Sequence, residues 1–313
     1  METRRLGRSG ASVGVIGLGT STWGRGTDPA EAADQVRALV DAGGNLIVIE
    51  AQATPAHVVA KAIVAPGARA STFVALRTPA MPSRRELLAS LDDFVASTGI
   101  GHADIWLIDG WSPGEVWDEV VASLAVATAS GRALYAGLAP AEPWHAALVG
   151  GAMTAHADCS PLSAVAVRTS LLDAAAQAAS DVAVTLDASV LAVGTLAGGV
   201  LTGKYRHATP PDSRGAGERH AADMHRYREP WTWPVVDALC AAAEGLGVSP
   251  TALALAWARD RPGVASAVVG ARTIHQWRAA VDSAEVTLPS EIRHVLDEVA
   301  TKAGHVGHDG PQD

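Results

Sequence analysis

The sequence predicts a single (β/α)8 TIM barrel opened by an N-terminal hairpin. Three observations carry that prediction. Short apolar runs alternate with longer helical patterns along the whole chain, the signature of βα units around a parallel sheet. Eight such runs can be counted, the number that closes a barrel. The length, 313 residues, fits one α/β barrel.

The opening segment, "RRLGRSGASVGV", reads as a hairpin turning at Ser9-Gly10 and placed to plug the barrel floor. The apolar runs follow at Val15–Leu18, Leu46–Ile49, Thr72–Leu76, Asp104–Ile108, Ala133–Leu138, Ala164–Val167, Val190–Val193 and Ala265–Val269. Helix-start chemistry lies between them. Asp28-Pro29-Ala30-Glu31 reads as N-cap, Pro at N1 and a capping-box acid. Ser83…Glu86 and Ser112-Pro113-Gly114-Glu115 repeat the device. Val116, Val120, Val121 and Leu124 are expected on one helical face, with Gly131 ending that helix. Residues 1–304 are expected to form one domain. Within it, 205–230 has no periodicity and reads as a long irregular loop, and 305–313 reads as a disordered tail.

Composition narrows the function. The chain is 48% hydrophobic and 18% charged, enough to bury a large core. A net charge of −9 gives no electrostatic footprint for nucleic acid. There is no run of 18 apolar residues and no signal-peptide pattern at the start, so neither a membrane span nor secretion is expected. The only cysteines, Cys159 and Cys240, lie far apart. That fits a reducing cytoplasm and no disulfide or zinc framework. His305 and His308 lie in the tail, where solvation rather than metal binding is expected, so no metal site is assigned.

Three glycine-rich segments bear on ligands. Gly198–Lys204 fits GxxxxGK, but Tyr205 stands where a P-loop needs Ser or Thr, and no long helix pattern follows. Close backbone approach to an anion and a plain structural turn both remain open there. "GLGTSTWG", Gly17–Gly24, lacks the third glycine of a dinucleotide fingerprint. In "VVGARTIHQW", Arg272 follows Gly270 at a helix start, a natural phosphate contact.

Together these stretches resemble the aldo-keto reductase family over nearly the whole chain. "RRLGRSG", "GLGTSTWG" and "DAGGNLI" resemble its opening hairpin, first strand and loop, and turn into strand two. "GTLAGGVLTGKY" is similar to its loop after strand seven, and "VVGARTIHQW" to its NADP-clamping segment. The resemblance implies carbonyl reduction by hydride from NADPH, with a Tyr as proton donor supported by Asp, Lys and His. It also maps those positions here. The Asp position is Val48, the Tyr position Ala53, the Lys position Arg77 and the His position Asp109, while Thr54 replaces a glycine. At the nicotinamide end, Ser-Asn becomes Ala139-Pro140, Gln becomes Ala166 and an aromatic becomes Val193. The cofactor residues it implies are Gly19, Thr20, Leu196, Gly198, Leu201, Gly203, Lys204, Gly270, Arg272 and Gln276. Ala280 stands where an adenine-contacting Asn is expected. NADP(H) binding is therefore expected to be weakened or lost.

Period-two alternation puts Glu50 on the same strand face as Val48 and Arg168 on that of Ala166. A mouth cluster of Glu50, Arg77, Asp109 and Arg168 follows, with Glu50 paired to Arg77 or Arg168. Either it is a structural ion network, or a reworked site whose arginines take an anion and whose acids move a proton. The leading functional expectation is a non-redox or pseudoenzyme member of the family, holding a small anionic ligand or a protein partner. A lyase, isomerase or cyclase using Glu50 and Asp109 is the second. An NADP(H)-dependent carbonyl oxidoreductase with an unorthodox donor is the third.

Overall fold

The computed structural model describes residues 1–110, 116–139, 142–156, 159–173, 177–211, 213–216, 224–227 and 229–308. The helix start expected at Ser112–Glu115 and the position of Pro140 lie outside the described residues.

Strands β1 (Thr3–Arg5) and β2 (Ser12–Gly14) form the antiparallel hairpin. Eight parallel strands then close the barrel: β3 (Ile16–Gly19), β4 (Leu46–Glu50), β5 (Phe73–Thr78), β6 (Ala103–Ile108), β7 (Ala133–Leu138), β8 (Leu162–Arg168), β9 (Ser189–Val193) and β10 (Val264–Gly270). Each neighbours the next, and β10 returns to β3. The helices between and after the strands are α1 (Pro29–Asp41), α2 (Ala56–Val59), α3 (Arg84–Thr98), α4 (Trp117–Ala129), α5 (Pro143–Ala155), α6 (Gln177–Thr185), α7 (Thr232–Leu246), α8 (Pro250–Arg259), α9 (Ile274–Val281) and α10 (Ser290–His308).

Alternation along the strands sorts the core into two layers. Leu46, Val48, Ala75, Ile105, Leu107, Ala164, Ala166 and Leu191 fill the barrel interior, with Leu6 and Val13 of the hairpin packed against them. Ile47, Ile49, Val74, Leu76, Trp106 and Ile108 point outward to the helices. The hairpin is anchored as a floor. Arg4 donates to the carbonyls of Arg259 (2.6 Å) and Val264 (3.0 Å), and the Gly7 N–H donates to Ser189 Oγ (2.8 Å). Gly137 lets β7 approach its neighbours closely. A β-carbon there would lie 2.5 Å from Leu107 and 2.6 Å from the Ala164 carbonyl oxygen.

The structure adds detail at three places. Val116 precedes α4 and is exposed, because the helix begins at Trp117; Val120, Val121 and Leu124 do face the core. The last helix runs to His308, through residues 305–308 that read as tail. The long loop is not irregular throughout. Arg214–Ala216 forms a 3-10 turn, and Met224 and Tyr227 are buried. No single helix among the described residues is long and apolar enough to cross a membrane.

Candidate functional site at the carboxyl ends of the barrel strands

The inward face of each strand ends in the residue that reaches the mouth. On β4 the inward series is Leu46, Val48, Glu50; β5 continues through Ala75 to Arg77, β6 through Leu107 toward Asp109, and β8 through Ala166 to Arg168. Glu50 and Arg77 are directly opposed in the β4–β5 register. Arg77 Nη1 lies 3.6 Å from Glu50 Oε1, while its Nε and Nη2 both donate to Asp109 Oδ2, at 2.9 and 2.5 Å. The Gly110 N–H donates to the other Asp109 oxygen at 3.1 Å. Burial pushes the Asp109 carboxyl above its ordinary range; Arg77 pulls it partly back, and Glu50 adds to the rise.

Arg168 belongs elsewhere, so the expected single cluster divides into two. Its Nη2 donates to Tyr227 Oη at 3.0 Å, and its Nε lies 4.0 Å from Asp173. Among the described residues no ion pair joins Arg168 to Glu50 or Asp109. Asp173 is the hub. Its buried carboxylate accepts from Ser170 Oγ (2.6 Å) and from Tyr227 Oη (3.1 and 3.2 Å), and it pairs with Arg226. Burial, and then the Asp173 charge, raise the Tyr227 phenol pKa above its ordinary value. Sequence reasoning missed Asp173, Arg226 and Tyr227. The one available signal was the dense charge of "HRYRE" inside an aperiodic loop.

The remaining expected residues fall as follows. Val48 is 5% exposed, Ala166 1% and Ala139 not at all. These side chains offer no hydrogen-bonding group and no open surface to a nicotinamide ring. Ala53 is half-buried in the turn after Glu50, whose carbonyl accepts from the Ala53 and Thr54 N–H groups. The buried Thr20 and Thr54 hydroxyls bond each other at 2.7 Å. Gly19 is half-buried beside them.

On the phosphate side, Gly198, Gly199 and Gly203 have positive φ of 67°, 95° and 78°, a path glycine takes without strain. Lys204 Nζ lies 3.0 Å from where a Gly199 β-carbon would stand and 5.0 Å from the centre of the Tyr205 ring. Leu196 is half-buried, whereas Leu201 is fully buried in the core. Gly270 is exposed at the end of β10. Arg272 lays its stem 3.4 Å from the β-position of Gly26, and its backbone N–H donates to Gln276 Oε1 at 3.0 Å. In the 198–204 turn the N–H groups of Gly199, Leu201 and Gly203 donate to Leu196 and Val200 carbonyls, which leaves Lys204 as the cation of the turn, while Val48, Ala139 and Ala166 bring no side-chain donor to the mouth.

The fold and the position of this site define a parallel eight-stranded barrel with a charged cluster at the carboxyl ends of the strands. Within that class, a family model described as "Aldo/keto reductase family" matches residues 15–301. The chain belongs to that family, whose members typically bind NADP(H). It is 32% identical over 110 residues to Protein tas of Escherichia coli (strain K12), covering 35% of this chain and 31% of that protein. Over 105 residues it is 36% identical to a probable voltage-gated potassium channel subunit beta of Arabidopsis thaliana, covering 33% and 32% of the two chains. Over 193 residues it is 26% identical to the uncharacterized oxidoreductase YrpG of Bacillus subtilis (strain 168), covering 58% and 54%. The match spans about a third of the length of the first two relatives.

Proposed function

We propose that this chain is a non-redox member of the aldo-keto reductase family, acting by binding rather than by reducing carbonyls. The observation that carries the reading is Arg77 bridging Glu50 and Asp109. The resemblance puts Lys and His at the Arg77 and Asp109 positions. A guanidinium is charged at every working pH, so it is a poor acid, and here it is neutralised by two carboxylates. The positions that correspond to Asp and Tyr, Val48 and Ala53, carry no titratable group. The relative named as a channel subunit supports an assembly role for members of this family.

The ligand class is a small anion or a protein partner. Arg77 and Arg168 already face carboxylates, so an anion must displace Asp109 or Asp173 to reach them. Asp109 gives way more easily, because its side chain is 27% exposed against 4% for Asp173. The test is the purified chain with NADPH and a panel of aldehydes and ketones, followed at 340 nm. The expected result is no consumption above the blank. Substrate-dependent consumption would instead establish an NADP(H)-dependent oxidoreductase with a donor outside the family pattern.

A second reading has its own observation. Asp109 keeps one oxygen clear of Arg77 and a raised affinity for a proton. A carboxylic acid so placed can shuttle protons in a lyase, isomerase or cyclase. Any such activity should disappear in Asp109→Asn and Glu50→Gln.

A further inference from the structure

A second disagreement between this chain and NADP(H) lies at the Arg272 segment, around the start of α9. Two elements far apart in sequence are fastened together there. The Ala271 carbonyl accepts from Thr22 Oγ1 at 2.9 Å and from Gln35 Nε2 at 3.1 Å, and the Arg272 carbonyl accepts from Thr27 Oγ1 at 3.0 Å. These bonds fasten the loop before α1, together with Gln35 of α1, to the Ala271-Arg272 segment that leads into α9. Glu31 then reaches across, and its carboxylate accepts the backbone N–H of Ile274, the first residue of α9. Thr273 Oγ1 takes the Gln276 N–H at 3.2 Å, and Gln276 takes the Arg272 N–H at 3.0 Å.

The first N–H groups of a helix and the positive end of its dipole are what an incoming phosphate would use. Here the Ile274 donor is matched to a carboxylate from the same chain. A phosphate beside Arg272 would lose that donor and meet the Glu31 charge. The sequence suggests a different partner for Glu31, the cap of its own helix. Asp28 fills that role alone, accepting from the Ala30 and Glu31 N–H groups at 2.8 and 2.9 Å.

We infer that Glu31 is a resident anion at the clamp and makes this barrel discriminate against a ribose 2′-phosphate. The preferred nucleotide, where one binds, carries a free 2′-hydroxyl. The inference deepens the non-redox reading at its nucleotide end, and rests on the family placement of the clamp at Gly270–Gln276. The two fail separately. This one is read from fragments without nicotinamide, and the functional reading from NADPH turnover.

The experiment is calorimetric titration of the full chain with 2′,5′-ADP and with 5′-AMP, which differ only by the 2′-phosphate, in the wild type and in Glu31→Gln. Gln keeps an oxygen acceptor for the Ile274 N–H and removes the charge. The wild type should bind 2′,5′-ADP no more tightly than 5′-AMP. In Glu31→Gln the ratio should move at least tenfold toward the 2′-phosphate. Glu31→Ala, checked for folding by circular dichroism, should move it the same way. A wild type that prefers 2′,5′-ADP by tenfold, an unchanged ratio, or no binding of 2′,5′-ADP to either variant would each overturn the inference.

Discussion

Arg77 directs two donors to a single oxygen of Asp109, at 2.9 and 2.5 Å, and leaves the other oxygen to the Gly110 N–H at 3.1 Å. Burial outweighs this pairing and raises the carboxyl above its ordinary 3.8. The fold therefore favours the protonated acid. Its contribution to stability is complete below pH 3.8 and falls as pH rises through the folded value. Urea unfolding of wild type and Asp109→Asn at a series of pH values should show this falling contribution only in the wild type. Equal slopes for both proteins would remove the argument.

Arg77→Met should leave Glu50 and Asp109 facing each other without their shared cation. The group is only partly buried, so the expected loss is about 1–3 kcal/mol, below that of a fully buried pair. Adding Glu50→Gln and Asp109→Asn to the same protein should recover most of it. A single variant as stable as the wild type would show that the bridge holds nothing together.

Tyr227→Phe removes the hydroxyl that accepts from Arg168 and donates to Asp173. The expected loss is about 1–2 kcal/mol. Because the fold favours the neutral phenol, its contribution is complete below pH 10 and declines as pH rises through the folded value. In an ultraviolet titration Tyr227 should ionise above the ordinary tyrosine range, and that ionisation should vanish in Tyr227→Phe. An unchanged titration curve would contradict the placement of this ring.

Gly137→Ala should be costly for a steric reason alone. The new methyl group would meet the Leu107 side chain at 2.5 Å and the backbone oxygen of Ala164 at 2.6 Å. Backbone gives way poorly, so a loss of about 2 kcal/mol or more is expected, read as a lower Tm. A Tm within 1 °C or so of wild type would mean that β7 and β8 can part without loss of stability.

The barrel was legible in the sequence because strands buried on both faces read as continuous apolar runs, and all eight lie within two residues of their expected bounds. The Glu50–Arg77 pair was legible as well, since alternation and strand adjacency place both at the mouth. The partners of Arg168 were not. Asp173 lies past the end of β8 and Tyr227 lies in an aperiodic loop, so no periodicity links them to a strand. Glu31 misled for a related reason. Its spacing from Asp28 satisfies a local capping pattern, whereas its contact, Ile274, is 243 residues away. Pattern reading sees neighbours along the chain, and closure of the barrel creates the others.

That distant contact has a consequence for dose. Glu31 is tethered, so its carboxylate is present at the first turn of α9 at an effective concentration of about millimolar or more, whatever the cell contains. A free phosphate ester competes with it as one solute against a fixed reservoir. Occupancy of the clamp then depends on how much ligand is supplied, and a scarce nucleotide leaves it closed.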